Sequence, residues 1–189
     1  MSRIGLMGGT FDPPHLGHLL IAEQAREQLE LDEVWFLPAA IPPHKLGFSR
    51  ADDRIEMTRR AIAGHPDFKL DLIEFERLEP SYTVETMKRL RERYPDDTFF
   101  FLIGADSLDS LEKWRDYETL ITLVTFGAVA RPGSRYRIPN RADVRTIDMP
   151  QLEISSTDIR ERAKRNKSIT YLVPSEVETY IKEHDLYDV

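Results

Sequence analysis

Two histidines three residues apart stand at the mouth of an apolar helical pattern in "GGTFDPPHLGHLLIA", residues 8 to 22. At that spacing His15 and His18 share one face of a helix's first turn. A helix N-terminus carries about half a positive charge and unpaired N–H groups, so it attracts phosphate. Imidazoles placed there add directed donors to the phosphate oxygens. Ahead of them, Gly8 and Gly9 let the backbone approach a ligand where a Cβ would clash. The turn is neither a dinucleotide fingerprint, since Gly5, Gly8 and Gly9 do not make G-x-G-x-x-G, nor a P-loop, since no G-K-[ST] follows. Two other readings stay open for the pair: a metal site in which Asp12 joins the two imidazoles, and simple packing at a helix start.

A second polar cluster lies near the other end of the chain. In "ISSTDIRERA", Ser155 and Asp158 have the spacing of a capping box, which accounts for part of the segment. Capping leaves Ser156, Thr157 and Arg160 crowding the same helix mouth. Helical side chains lean toward the N-terminus, so Arg160 can reach back to an anion bound there. His44 and Lys45 sit on a proline-stiffened loop, "PPHK", and Asp106 and Trp114 in "IGADSLDSLEKW"; each alone reads as an ordinary surface turn or core residue.

Strands alternating with helices position these segments. "RIGLMGG" reads as a buried strand, "HLGHLLIAEQAREQLE" as an amphipathic helix with Leu16, Leu19, Leu20 and Ala22 apolar, and "EVWFLPA" as a second strand. That is the size of a right-handed βαβ unit. The pattern continues with a helix in "RADDRIEMTRRAIAGH", a strand in "FKLDLIEFE", a helix in "TVETMKRLRERY" and an apolar strand in "TFFFLIGAD". Helical "SLDSLEKW" and "YETLITLV", then strands in "TFGAVARP" and "VRTIDMP", follow, and helices opening at "SSTDIRERAKRN" and "PSEVETYIKEHDLY" close the chain. The pattern predicts a single α/β domain, a Rossmann-like, doubly wound, mostly parallel sheet with helices on both faces. Its ligands belong beyond the carboxyl ends of the strands, in the turns at 8–18, 38–46, 104–117 and 131–135. The expected flexible loop is 39–49.

Composition fits that architecture. With 189 residues, 41% hydrophobic and 31% charged, the chain is ordinary for one globular domain. It has no cysteine, which excludes disulfides and thiolate metal sites. The N-terminus shows no secretory signal and no apolar run is long enough to span a membrane, so a cytoplasmic protein without membrane attachment is expected. A net charge of −7 argues against broad nucleic-acid binding, so an anion must be bound locally.

Taken in order, "GGTFDPPHLGH", "PPHK", "SYTVET", "IGADSLDSLEKW", "ARPG" and "ISSTDIR" resemble the nucleotidyltransferases whose hallmark is [H/T]-x-G-H after the first strand. Among these the resemblance is to the bacterial nicotinate mononucleotide adenylyltransferases, and it covers nearly the whole chain. It implies ATP and nicotinate mononucleotide as substrates, nicotinate adenine dinucleotide and pyrophosphate as products, and a Mg²⁺ carried with ATP. It places His15, His18, Lys45 and Arg160 in catalysis. Around ATP it implies Gly8, Gly9, Thr10, Phe11, Gly104, Asp106, Arg131, Ile154, Ser155, Ser156 and Thr157, besides His15, His18 and Arg160. For the mononucleotide it implies Gly8, Thr10, His44, Lys45, Thr83, Trp114 and Tyr117. The helices from about residue 155 onward would pack on the domain and complete the ATP site, and a homodimer is one expected assembly. Adenylyl transfer to another phosphate such as phosphopantetheine, a nucleotide-binding regulator without turnover, and a metal hydrolase are the rival readings.

Overall fold

The computed structural model describes residues 1–43, 47–77, 79–130, 137–150 and 152–187. Six parallel strands form one sheet in the order β3-β2-β1-β4-β5-β6. They are β1 (Arg3–Gly9), β2 (Glu33–Pro38), β3 (Phe68–Leu70), β4 (Thr98–Gly104), β5 (Thr125–Ala130) and β6 (Val144–Asp148). The helices between and after them are α1 (Leu16–Gln28), α2 (Ala51–Ile62), α3 (Thr83–Arg93), α4 (Tyr117–Leu123), α5 (Ser156–Lys164) and α6 (Ser175–Glu183). This is the doubly wound, Rossmann-like order, with β1 pairing to both β2 and β4.

The inner strands β1, β2 and β4 are buried almost throughout because both sheet faces are covered there. Along β4 the side chains alternate between two cores. Phe99, Phe101 and Ile103 join Met87, Leu90 and Leu120 beneath α3 and α4. Phe100 and Leu102 join Ala22, Ala25 and Ile62 beneath α1 and α2. A third cluster packs Met57 of α2 against Ile159, Val177 and Ile181 of α5 and α6, so the last two helices attach to α2 rather than to the sheet. Among the described residues no helix is long and apolar enough to cross a membrane.

Two elements differ from the pattern expected of the sequence. "FKLDLIEFE" is a strand only over Phe68–Leu70, and a 3-10 turn, Ile73–Glu76, follows. Asp71 ends the strand by accepting the Ile73 N–H on Oδ1 at 2.8 Å, an Asx turn that competes with the ladder. "SLDSLEKW" is helical but as a long 3-10 segment, Ala105–Lys113. Leu108 and Leu111, both buried, and Trp114 are spaced by three, and at three residues per turn they align along one edge. Trp114 consequently turns its ring edge-on to Phe101, with centroids 6.1 Å apart.

Candidate active site

The sheet order reverses between β1 and β4, and the principal cavities open at their carboxyl ends. One, of about 360 Å³, is lined by Gly8, Gly9, Ala39, Thr83, Gly104, Trp114 and His18. A second, of about 470 Å³, is lined by Thr10, Asp12, His15, Phe48, residues 154–157, Arg160 and, again, His18. His18 therefore stands where the two spaces meet.

His15 caps α1 from an extended conformation. Its backbone N–H donates to Nδ1 of His18 at 3.1 Å, which assigns the proton of a neutral His18 to Nε2. The two rings lie 3.7 Å apart. His15 is 7% exposed, and burial lowers its pKa to about 4, so its ring is neutral at physiological pH. Its Nδ1 is buried without a hydrogen-bond partner. A Cβ on Gly17 would stand 2.9 Å from that nitrogen, which explains the glycine of "HLGH". Phe11, at φ 52°, folds its ring back over Gly9, where a Cβ would meet it at 2.9 Å, and supports the His18 ring edge-on at 5.1 Å. Phe11 is thus buried behind the histidines and lines neither cavity.

The α5 mouth faces the same space. Ser155 caps the helix, accepting the Asp158 N–H at 3.1 Å and donating its hydroxyl to the Asp158 carboxylate at 2.7 Å. Ser156 donates to the Pro13 carbonyl at 2.8 Å. Arg160 reaches back toward the N-terminus of α5, its Nη1 donating to the Asp12 carbonyl at 2.7 Å and its Nη2 to the Thr157 hydroxyl at 3.4 Å. The first turn and α5 are thus joined around one anion-sized opening with a guanidinium, two hydroxyls and the α5 N-terminus at its rim.

On the far side of Trp114 lies a third space of about 490 Å³, continuous in its walls with the first through Ser81, Thr83 and Trp114. Among the described residues its lining includes Lys113 and Arg115 and no carboxylate. The Arg115 guanidinium lies 4.6 Å over the Tyr82 ring. An aromatic wall with two cations and the Thr83 start of α3 suits a flat, negatively charged ring.

A buried polar junction behind these cavities is not apparent in the sequence motifs. Asp12, 3% exposed, accepts the Tyr187 hydroxyl on Oδ1 at 2.6 Å and the Ser49 N–H on Oδ2 at 3.0 Å. Arg54, fully buried, donates Nη1 to the carbonyls of Thr10 and Ala39 at 3.0 and 2.8 Å and Nε to that of Ser49 at 3.1 Å. Burial pulls the Arg54 guanidinium down from its ordinary range, while the Asp12 carboxylate pulls it back up. Burial, with Asp12 beside it, pushes the Tyr187 hydroxyl well above a normal phenol. One local signal pointed to Arg54: it shares a helix face with Met57, Thr58 and Ile62, all buried, where an apolar residue is expected. With both Asp12 oxygens so engaged and His18 Nδ1 accepting an amide, the trio His15, His18 and Asp12 is arranged as a turn. Among the described residues no group of three His, Asp or Glu side chains is gathered for a metal.

Of the other expected site residues, Gly8, Gly9, Thr10, Gly104, Ile154, Ser155, Ser156, Thr157, Thr83 and Trp114 line the cavities. Asp106 is exposed at the start of the 3-10 segment after β4, and Tyr117 at the start of α4 donates its hydroxyl to the Asn140 carbonyl at 2.8 Å; neither lines these spaces. His44, Lys45 and Arg131 lie outside the described residues.

Residues 6–162 match the model of the cytidylyltransferase-like family. The chain is 59% identical over 186 residues to a probable nicotinate-nucleotide adenylyltransferase of Exiguobacterium sibiricum, with 98% of each chain covered. It is 47% identical over 190 residues to the nicotinate-nucleotide adenylyltransferase of Bacillus subtilis, with 100% of each covered. In fold it is similar to the nicotinic acid mononucleotide adenylyltransferase of Plasmodium falciparum complexed with NaAD, at a TM-score of 0.84 and 21% identity over 99% of this chain and 98% of that one. The chain belongs to the cytidylyltransferase-like family, and within it to the nicotinate-nucleotide adenylyltransferases.

Proposed function

We propose that this protein transfers the adenylyl group of ATP to nicotinate mononucleotide, giving nicotinate adenine dinucleotide and pyrophosphate. The observation that carries the reading is the position of His18, shared by the cavity that holds Trp114 and Thr83 and the cavity that holds Arg160. A donor at that junction faces the phosphorus atom passed from one substrate to the other. Full-length relatives of 46 to 59% identity bear the same activity in their names.

The mononucleotide phosphate is already a nucleophile. One of its oxygens bonds to the α-phosphorus of ATP as the bond from that phosphorus to the β-bridging oxygen breaks, and pyrophosphate leaves in line. Charge grows on the transferring and leaving oxygens, so the protein's task is to align two repelling anions and supply donors. We assign that work to His18 Nε2–H, the Arg160 guanidinium, the Thr157 hydroxyl and the α5 N-terminus, with His15 as the neutral residue that sets the His18 ring. Lys45 is assigned as a further cation on the mononucleotide side. The pyridine ring belongs against Trp114, where Lys113, Arg115 and the Thr83 hydroxyl favour the carboxylate of the acid over the carboxamide. Mg²⁺ enters as part of the MgATP substrate and neutralises phosphate charge.

A coupled pyrophosphate assay with MgATP and either the acid or the amide mononucleotide tests the reading. Pyrophosphate is expected with the acid in strong preference. ATP binding without pyrophosphate release from either mononucleotide would refute it.

A further inference from the structure

The chain closes on its own first turn. Tyr187 is 175 residues from Asp12 in sequence, yet its hydroxyl donates to Oδ1 of that buried carboxylate at 2.6 Å. Asp12 is also the residue whose carbonyl takes Arg160 at 2.7 Å and whose other carboxylate oxygen takes the Ser49 N–H at 3.0 Å. Three elements of the site, the first turn, the α5 mouth and the end of the loop after β2, therefore share one anchor. Arg54 binds two of these elements from behind, the first turn through the Thr10 carbonyl and the loop after β2 through those of Ala39 and Ser49. A buried carboxylate keeps its charge and place only while donors satisfy it. Among the described residues, this one accepts from the Ser49 amide and from one side chain, the Tyr187 hydroxyl.

We propose that Tyr187 is a positioning residue for adenylyl transfer: its phenol fixes Asp12, and through Asp12 it holds the Arg160 guanidinium against the phosphate cavity. The inference rests on the assignment of Arg160 to the phosphates. Tyr187 touches no reacting atom. Its ring packs with the cluster of α2, α5 and α6, so phenylalanine keeps that packing and removes only the oxygen. Once the oxygen is gone, the Asp12 carboxylate is left with the Ser49 amide on Oδ2, and the turn that carries the Arg160 contact is held less firmly.

The test compares the full chain with Tyr187→Phe, Asp12→Asn, their double variant and Arg160→Ala, by steady-state kinetics with MgATP and nicotinate mononucleotide and by thermal unfolding. Tyr187→Phe is expected to stay folded at the assay temperature with kcat down about tenfold and both KM values within about twofold, the signature of misplaced groups rather than lost binding. The double variant is expected to be no slower than its slower parent, because both changes break one link. Wild-type kcat in Tyr187→Phe, multiplicative effects in the double variant, or a Tyr187→Phe chain that does not fold would each overturn the positioning role. If Arg160→Ala keeps full turnover, the phosphate-site assignment falls instead. If Arg160→Ala is crippled and Tyr187→Phe is not, only the role of Tyr187 falls.

Discussion

The imidazole rings of His15 and His18 lie 3.7 Å apart and are inclined by 30°, with the backbone amide of the first tied to Nδ1 of the second. Burial keeps the His15 ring neutral, and the amide bond to Nδ1 of His18 fixes the orientation of the second ring. On the proposed function His15 is the fixed member that orients its neighbour, and His18 the donor at the junction of the cavities.

His18→Ala is therefore expected to lower kcat by about 10²- to 10³-fold with little change in either KM, since its contact strengthens as charge develops. Steady-state kinetics check this. A raised KM with near-normal kcat would assign His18 to ground-state binding instead.

Gly17 separates helix propensity from site geometry. Alanine is favoured over glycine in a helix, by up to about 1 kcal/mol in the interior and less in the first turn where Gly17 stands, so Gly17→Ala on propensity alone does not weaken α1. Its Cβ would stand 2.9 and 3.0 Å from two atoms of the buried His15 ring, which must then shift. The expected outcome is a melting temperature within about 5 °C of wild type and a kcat reduced at least about tenfold. Unchanged turnover would show that the histidine pair tolerates displacement.

Burial of His15 also has a consequence for stability. Its folded-state pKa of about 4 lies below the 6.5 of the unfolded chain, so between those values the unfolded chain takes up a proton that the folded one does not. Stability from this group is complete above about pH 6.5 and falls by up to about 3 kcal/mol as pH drops toward 4. Denaturant unfolding at intervals across that range should show a shallower decline for His15→Gln than for wild type. Parallel curves for the two proteins would refute it.

Much of this site is legible in the chain because its parts are local. "HLGH" and "ISSTDIR" mark helix starts, and the alternation of apolar strands and amphipathic helices dictates the sheet that brings those starts together. What stayed hidden depends on distance. Arg54 finds its acceptors between 5 and 44 residues away, and Tyr187 its acceptor 175 residues away; the buried face of α2 marks the position of Arg54 but not its partners, and nothing local marks Tyr187. Phe11 was expected at the nucleotide because it sits in the signature. Its ring, on a backbone with a positive φ that no sequence rule assigns to phenylalanine, lies against Gly9 and edge-on to His18.

Trp114 divides two cavities and leans on Phe101, so its loss acts on binding and on packing together. Trp114→Ala is expected to raise KM for the mononucleotide about tenfold and leave KM for ATP near wild type, while Trp114→Phe recovers most of the difference. An unchanged mononucleotide KM in Trp114→Ala would remove the ring from this wall.

Among the described residues, Lys113 and Arg115 place two cations and no carboxylate around the space on the far side of Trp114, whereas Glu74 lines the cavity on its near side. Their field acts on a pyridine carboxylate and is indifferent to a carboxamide, so it contributes to discrimination rather than to turnover. Arg115→Gln is expected to lower kcat/KM for the acid mononucleotide about threefold, the modest size typical of an exposed charge, and to leave the amide value unchanged. Because exposed charges are screened, the acid preference of the wild type should also shrink as salt rises, and that of Arg115→Gln less so. Equal losses for acid and amide would assign Arg115 to holding Tyr82, over whose ring it lies at 4.6 Å, and not to reading the substrate's charge.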